Sequence, residues 1–234
     1  MTNTDWNPSN THVVILGLGL DDWAEPDNPS WKRHRTLAQM FERAGVPEGQ
    51  VHLWEDATGT AASIKRRLPR ILENMEEDGL FVFYYAGHGD VDPDEDDEFY
   101  FCHPTDESDW LYGSELIDMI DEHLNGERAV LFLDCCFSGW IARAVADYDT
   151  DGAYAAITSS TRDVESTGNW TFTDCLLAAL RGERGIDANA DGSISFAELA
   201  RHVTHRMRTV DSQPADYAHT SAFDPSFRLA LARR

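Results

Sequence analysis

The chain has 234 residues, enough for one large α/β domain or two small ones, and 42% of them are hydrophobic, enough to form a core. Lys and Arg number 19 against 42 Asp and Glu, which gives a formal net charge of -23 at pH 7. This acidity argues against nucleic acid or an anionic membrane as partner, since both need a basic surface, and favours metal ions or substrates that carry Lys and Arg.

The sequence predicts a cytoplasmic protein. Residues 1–12 are polar and lack the charged start and apolar run of a signal peptide. No apolar stretch approaches the roughly 18 residues of a membrane helix. The cysteines fit a reducing compartment, where thiols are more often core or catalytic groups than disulfides; they are Cys102, Cys135, Cys136 and Cys175.

Apolar runs and helical spacings alternate along the chain. The predicted strands are 12–20, 51–54, 80–85, 99–102, 129–133 and 153–158. The predicted helices are 37–44, 58–76, 113–124, 172–180 and 196–207. This order predicts an α/β fold with a mostly parallel sheet and helices on both faces, and the lack of a linker predicts one domain over 1–234. Residues 90–98, with seven acids in nine positions, are predicted to form an exposed loop.

Two predicted strands run into short segments that carry reactive side chains. The strand 80–85 is followed by Ala-Gly-His-Gly-Asp with His88 at its centre, and the strand 129–133 by Asp-Cys-Cys-Phe-Ser-Gly with Cys136 third. In parallel sheets, sites gather beyond the carboxyl ends of the strands. A thiol is only a few per cent ionised near neutral pH, so an imidazole that takes its proton makes it a nucleophile. The alternatives are a structural histidine and a buried filler cysteine, or Cys135 as the nucleophile.

The backbone around these residues supplies a second part of the predicted chemistry. The glycines on either side of His88 allow a substrate to approach closely. The N–H groups of Gly89 and Cys136 are candidate oxyanion donors.

Together these two motifs resemble the caspase-like cysteine peptidases, and most of all the bacterial caspase and metacaspase (orthocaspase-like) branch. That branch has a YSGHG-type strand end and a DSCHSG-type nucleophile loop, and its His lies about 50 residues before its Cys, as here. The resemblance covers roughly residues 13–207, including a substrate-binding loop near 168–173. It implies a caspase-like three-layer α/β sandwich with His88 as base or acid and Cys136 as nucleophile.

The resemblance also bears on the residue that precedes the scissile bond, called P1. In the metacaspase branch, the acid at the position of Asp134 helps to hold a P1 Arg or Lys. A second acid on the first helix is expected, but Arg33 or His34 stands there, and an Arg in the pocket could instead favour an acidic P1. Asp21 or Asp22 is a candidate replacement for that acid. Because the acidic segment follows His88 directly, we expect P1 Arg or Lys.

Residues 187–198 match the calcium-binding EF-hand loop. Acid or amide side chains fall at loop positions 1, 3 and 5, Gly192 at 6, and a Glu at 12. The predicted ligands are Asp187, Asn189, Asp191, Ser193 and Glu198. Gly182 and Gly185 interrupt the preceding helix, so the alternative is a turn that only caps the next helix.

The sequence therefore predicts a cysteine endopeptidase that cuts protein or peptide substrates after Arg or Lys and is modulated by calcium. Relatives are often zymogens activated by cleavage after the nucleophile, where Arg143 and Arg162 lie. An activating protease or regulator is then a possible partner. The alternatives are a caspase-like peptidase with acidic P1 preference and an inactive calcium-binding interaction module.

Overall fold

The computed structural model of the protein describes residues 6–20, 32–103 and 110–231. Its strands are β1 (Thr11–Gly17), β2 (Val51–Glu55), β3 (Leu80–Ala86), β4 (Gly89–Asp92), β5 (Glu98–Phe101), β6 (Leu111–Tyr112), β7 (Arg128–Asp134), β8 (Ala153–Thr158), β9 (Ser193–Ser195), β10 (Asp216–His219) and β11 (Arg228–Leu231). Its α-helices are α1 (Arg33–Arg43), α2 (Ala61–Glu73), α3 (Gly113–His123), α4 (Gly139–Asp147), α5 (Thr171–Leu180) and α6 (Phe196–Arg206).

The central sheet has six strands in the order β10-β8-β7-β3-β1-β2. All neighbouring pairs are parallel except β10 with β8, which is antiparallel at the edge. The predicted α/β fold with a mostly parallel sheet is therefore confirmed. Two smaller sheets, β4-β5-β6 and β11-β9, lie beside it.

Side chains that alternate along the strands form a core on each face of this sheet. On β3, Val82 and Tyr84 belong to one cluster, together with residues of α1, α5 and α6. Phe81, Phe83 and Tyr85 belong to the other, with residues of α2, α3 and α4. Because successive side chains of a strand point to opposite faces, a strand covered on both sides is apolar throughout. The prediction of helices on both faces is confirmed.

The capping residues define the first residue of a helix more exactly than the spacing of apolar residues does. Thr60 accepts a hydrogen bond from the N–H of Ser63 at 3.1 Å, so α2 begins at Ala61 rather than at the predicted residue 58. Ser195 caps α6 through a reciprocal arrangement with Glu198. After Arg206 the chain continues as a π-helical turn, Met207–Asp211.

The structure departs from the sequence-based prediction at several places. Helix α4 was not predicted, although Ile141, Ala142 and Val145 have helical spacing and face the core. Residues 90–98 are not a loop throughout, because β4 pairs with β5 across an acidic turn. The backbone ladder forms there despite the charges because most of the carboxylates lie on the exposed turn. Within the described ranges, no helix has the length and apolar character needed to cross a membrane.

Candidate active site

Strands β3 and β7 end level with each other, and this register positions the two reactive residues. The strands are parallel neighbours, and their last register pair is Ala86 with Asp134. His88 and Cys136 each follow two residues after that pair. Since neighbouring strands lie about 4.8 Å apart, the register brings the His88 and Cys136 segments side by side at one edge of the sheet.

A close backbone contact holds these two segments together. A Cβ atom at position 89 would lie 2.7 Å from the carbonyl oxygen of Cys136 and 2.5 Å from the ring of Phe99. A side chain at this position would therefore push the segments apart. Gly89 permits the contact because it has no Cβ atom.

The backbone of His88 is fixed while its side chain is exposed. Its carbonyl oxygen accepts hydrogen bonds from the Tyr85 hydroxyl and from the N–H of Cys102, the latter at 3.1 Å. Gly89 and Phe101 form the next register pair along the hairpin. Because bonded and non-bonded pairs alternate in an antiparallel ladder, the N–H of Gly89 points away from β5. This orientation leaves it available to a substrate oxygen.

One open cavity of about 640 Å³ joins the predicted site residues. Its wall combines the ends of β3 and β7 with the segment that precedes α5. The lining residues are Ala86, His88, Gly89, Asp90, Asp134, Cys135, Cys136, Phe137, Glu165, Ser166, Thr167, Gly168, Asn169 and Trp170. The structure thus brings His88, Gly89, Asp134 and Cys136 together, as the sequence predicts.

The Cys136 thiol is half-buried and receives a hydrogen bond from the facing segment. Its Sγ accepts a hydrogen bond from the N–H of Ser166 at 3.2 Å. Burial raises the pKa of this thiol, and the negative charge of Glu165 raises it further, while the Ser166 N–H opposes both. Cys136 is therefore predominantly a neutral thiol near pH 7 when no substrate is bound.

Cys135 has the wrong environment for a nucleophile. Only 1% of its surface is exposed, and burial raises the pKa of its thiol well above the ordinary value. Its carbonyl oxygen accepts hydrogen bonds from Ser160 at 2.9 Å and Ser159 at 3.3 Å. These contacts indicate that Cys135 supports the loop around Cys136 and does not act as the nucleophile.

A pair of buried serines anchors the loop around Cys136 to the end of β8. The N–H of Ser138 donates to Oγ of Ser160 at 3.1 Å, and the N–H of Ser160 donates to Oγ of Ser138 at 3.2 Å. Between Cys136 and Ser138, Phe137 has φ = 55°, which is unusual for a bulky residue. Its N–H donates to the carbonyl of Val164 at 3.0 Å. The loop around Cys136 is therefore held in an unfavourable conformation by contacts with distant residues.

Asp134 ends β7 with 8% of its surface exposed and forms part of the cavity wall. The Thr173 hydroxyl donates to its Oδ2 at 2.7 Å and in turn contacts the Tyr84 hydroxyl at 2.6 Å. Burial raises the pKa of Asp134 to about 7, although hydrogen bonds from Thr173 and Ser159 act against this shift. The carboxylate is thus poorly stabilised unless a cation approaches it.

Arg33 and His34, the basic residues of the first helix that were considered for P1 selection, pair with carboxylates. Nε of Arg33 lies 2.7 Å from a carboxylate oxygen of Asp174. Nε2 of the buried His34 lies 2.6 Å from Oε1 of Glu55. Among the described residues, neither lines the cavity, and no Lys or Arg does. Asp21 and Asp22, the candidate replacements for the missing acid, lie outside the described residues.

A residue that sequence reasoning missed supports the segment facing Cys136. Gln213 is 3% exposed. Its Oε1 accepts from the N–H of Thr167 at 2.7 Å, and its Nε2 donates to Oγ of Ser166 at 3.3 Å and to the carbonyl of Ser159. It therefore ties the Ser166 segment to the end of β8. No sequence motif marks it, because its partners lie far away in the chain.

The loop 187–198 lies apart from the cavity and is held by its own side chains. Asp187 accepts from the N–H groups of Asp191 at 3.2 Å and Gly192 at 3.0 Å. Glu198 is buried, and its oxygens accept from the N–H groups of Ala188 at 3.0 Å and Ser195 at 2.9 Å. In the described part of the chain, no three His, Cys, Asp or Glu residues are grouped as a metal site.

Comparison with known proteins identifies the class to which this site belongs. The family model of the caspase domain matches residues 33–224, which include His88 and Cys136. The chain therefore belongs to the caspase family of cysteine peptidases, and its caspase-like α/β sandwich is confirmed.

A solved structure supports the fold independently. The crystal structure of protein GSU0716 from Geobacter sulfurreducens is similar, with a TM-score of 0.69 and 14% identity over 96% of this chain and 100% of that one. At this identity the likeness concerns the fold alone. A search of curated proteins found no significant match.

The environment of Cys136 predicts how its sulfur reacts. We expect iodoacetamide to modify Cys136 but not the buried Cys135, with a rate that rises with pH to a midpoint above the pKa of an ordinary thiol. Replacing Glu165 by Gln removes a negative charge near the sulfur and lowers that midpoint. Alkylation rates across the pH range, with the modified residue located by mass spectrometry, measure both effects.

Two controls accompany this measurement. The variant Cys136→Ala identifies the signal, and Asp163→Asn removes an equal charge from an exposed neighbour of the loop. A midpoint that is the same in Glu165→Gln and the wild type would contradict the electrostatic account.

Proposed function

We propose that the chain is an endopeptidase that cleaves after Arg or Lys through His88 and Cys136. The observation that carries this proposal is the level register of β3 and β7, which sets both residues on the wall of one cavity. Both residues line this cavity, and catalysis requires the imidazole to take the proton of the thiol there.

The chemistry follows from the resting state of the thiol. His88 takes the Sγ proton of Cys136 as the sulfur forms a bond to the scissile carbonyl carbon. The N–H groups of Gly89 and Cys136 stabilise the oxyanion that develops. The imidazolium of His88 then protonates the leaving amine as the C–N bond breaks. Water, deprotonated by His88, hydrolyses the thioester and restores Cys136.

The preference for a basic P1 residue is supported by the charge of the cavity wall. Its described residues include the acids Asp90, Asp134 and Glu165 and no Lys or Arg. Arg33, whose charge in the pocket would favour an acidic P1, is paired with Asp174. Asp134 is the proposed contact to the P1 cation, because a cation stabilises its buried carboxylate.

This assignment predicts the substrate preference of the enzyme. Peptides with P1 Arg should be cut far faster than otherwise identical peptides with P1 Asp, because the acidic wall attracts one and repels the other. Fluorogenic peptides that differ only at P1 measure kcat/KM for both, with Cys136→Ala as the inactive control. Equal rates or the reverse order would favour the alternative of acidic P1 preference. No cleavage of any peptide, together with an unreactive Cys136, would favour an inactive interaction module.

The raised pKa of Asp134 predicts a pH dependence of the same preference. As the pH falls through about 7, Asp134 becomes neutral, and the ratio of kcat/KM for P1 Arg to that for P1 citrulline, its neutral isostere, should fall. Taking the ratio cancels every effect of pH that acts equally on both substrates. Asp134→Asn should lower the ratio about tenfold or more and remove its pH dependence. A ratio in Asp134→Asn equal to that of the wild type would contradict the role of Asp134.

We further propose that residues 187–198 bind calcium. Asp187, Asn189, Asp191, Ser193 and Glu198 are the candidate ligands. The loop places Ala190 and Gly192 at positive φ, and main-chain hydrogen bonds orient the carboxylate of Asp187. Calcium would replace the N–H donors on Glu198 as partner of its buried carboxylate. Since β9 in this loop pairs with β11, binding there stabilises the C-terminal part of the fold.

Calcium should therefore raise the thermal unfolding temperature of the wild type but not of Glu198→Gln. The matched control is Asp224→Asn, because Asp224 accepts the N–H of Ser226 in a similar turn outside the loop. Differential scanning fluorimetry with and without a chelator measures the shift, and peptide hydrolysis shows whether the ion also changes activity. Identical unfolding and hydrolysis with calcium and with chelator would contradict any calcium role.

Self-cleavage at Arg162 is the proposed route of activation. Arg162 is exposed in the turn between β8 and α5, whereas Arg143 lies within α4 and pairs with Asp147 at 2.5 Å. A peptide bond in a turn enters an active site more readily than one inside a helix. Gel analysis during incubation should show a cut in the wild type and in Arg143→Gln but not in Arg162→Gln. A fully active chain that stays uncut would refute this activation.

The cytoplasmic location, like the absence of nucleic acid and membrane partners, stays a prediction from composition. The four cysteines are all free thiols in the structure.

A further inference from the structure

Aromatic side chains cover the outer face of the small sheet β4-β5-β6. Tyr100 on β5 is the register partner of Asp90 on β4 and of Tyr112 on β6. Because register partners in a sheet share a face, these three side chains lie on the same side. The opposite face carries Phe99 and Phe101, which are buried in the core. The face of Tyr100 is therefore the one turned toward solvent.

The rings on this outer face pack against one another and stay partly exposed. Trp110 stacks on Tyr100 with the ring centroids 4.5 Å apart and an angle of 24° between the planes. The ring of Tyr112 lies nearly edge-on, 6.1 Å from that of Tyr100 and 6.4 Å from that of Trp110. We call Tyr100, Trp110 and Tyr112 the aromatic platform. The negative face of an aromatic ring attracts a cationic side chain.

Carboxylates border the aromatic platform. Asp90 is exposed on the strand next to Tyr100. Asp92 accepts a hydrogen bond from the Tyr112 hydroxyl at 2.8 Å through its Oδ2. Residues 89–112 include seven acids in 90–98, three more in 106–109, and no Lys or Arg. The rings and the carboxylates thus favour the same kind of ligand, a Lys or Arg side chain, and the carboxylates repel an acidic one.

Asp90 connects the aromatic platform with the active-site cavity, because it lines that cavity together with His88. In the proposed reaction His88 protonates the leaving amine. The residues after the scissile bond, called P1′, P2′ and so on, therefore leave the cavity on the side of His88. From β4 the platform extends over two strand spacings, about 10 Å, and an extended peptide advances about 3.3 Å per residue. The P2′ to P4′ residues of a substrate can thus contact it.

We propose that the aromatic platform is a substrate-binding surface that selects Arg or Lys at P2′ to P4′. This inference rests on the proposed function and concerns the residues after the scissile bond, whereas Asp134 acts on the residue before it. Asp90 attracts the positive charge, and the rings of Tyr100 and Trp110 pack against the side chain that carries it. A planar guanidinium stacks on aromatic rings better than an ammonium does, so the platform prefers Arg to Lys.

Internally quenched peptides that span the scissile bond test this inference. All have the P1 residue that the wild type cuts best. The peptides form pairs that differ only at P2′, P3′ or P4′, where one has Arg and the other its neutral isostere citrulline. N-methylation of the bond after the varied residue prevents cleavage there. In the wild type we expect kcat/KM to be about three- to tenfold higher with Arg in at least one pair, mainly through a lower KM.

The variants Tyr100→Leu and Asp90→Asn should each bring this ratio of kcat/KM toward one. The first removes a ring of the platform, and the second removes a charge but keeps the shape of the side chain. The matched controls are Tyr217→Leu, which removes an exposed tyrosine from the edge strand β10, and Asp163→Asn, which removes an exposed charge. Both controls should keep the wild-type ratio. Taking the ratio cancels any loss of folded protein, because both peptides report on the same active molecules.

The outcomes distinguish this inference from the function on which it rests. A wild type that cuts both members of every pair equally well overturns the aromatic platform and leaves the endopeptidase proposal intact. A preference for Arg that is unchanged in Tyr100→Leu and Asp90→Asn also overturns it, because the preference then comes from the general negative charge of the chain. An equal loss on both peptides assigns these residues to structure, with the same consequence. A wild type that cuts no peptide overturns the proposed function and this inference together.

Discussion

The parallel pairing of β3 with β7 is the constraint on which the rest of the site depends. A shift of that register by one residue would move the end of one strand along the other and turn its side chains to the opposite face. The core on both faces resists such a shift, because every position of both strands is buried. The packing of the core therefore holds His88 and Cys136 at matching positions, just beyond the ends of β3 and β7.

The parts of the molecule that depend on local pattern could be predicted from the sequence. The apolar runs at 80–85 and 129–133 identified the central strands, because a strand covered on both sides leaves a continuous apolar signature. The glycines around His88 indicated a tight turn. The sequence could also place Cys136 near His88, since the carboxyl ends of parallel strands share one edge.

The supporting contacts could not be predicted, because they join residues that are distant in the chain. Ser160 braces the loop of Cys136 from the next strand, and Gln213 reaches the Ser166 segment from beyond α6. A single Ser or Gln belongs to no motif or periodic pattern that would mark it in the sequence. The first helix shows the same limit. The sequence places Arg33 where an acid is expected, but only the fold reveals that Arg33 pairs with Asp174 and does not line the cavity.

The acidic wall of the cavity also affects the chemical durability of the enzyme. Peroxide and other oxidants attack the thiolate rather than the thiol. Burial and the charges of Glu165 and Asp90 keep the sulfur of Cys136 protonated, so the idle enzyme exposes little of its oxidisable form. A positively charged peptide in the cleft would offset those charges. The sulfur thus becomes most susceptible to damage when a substrate already shields it.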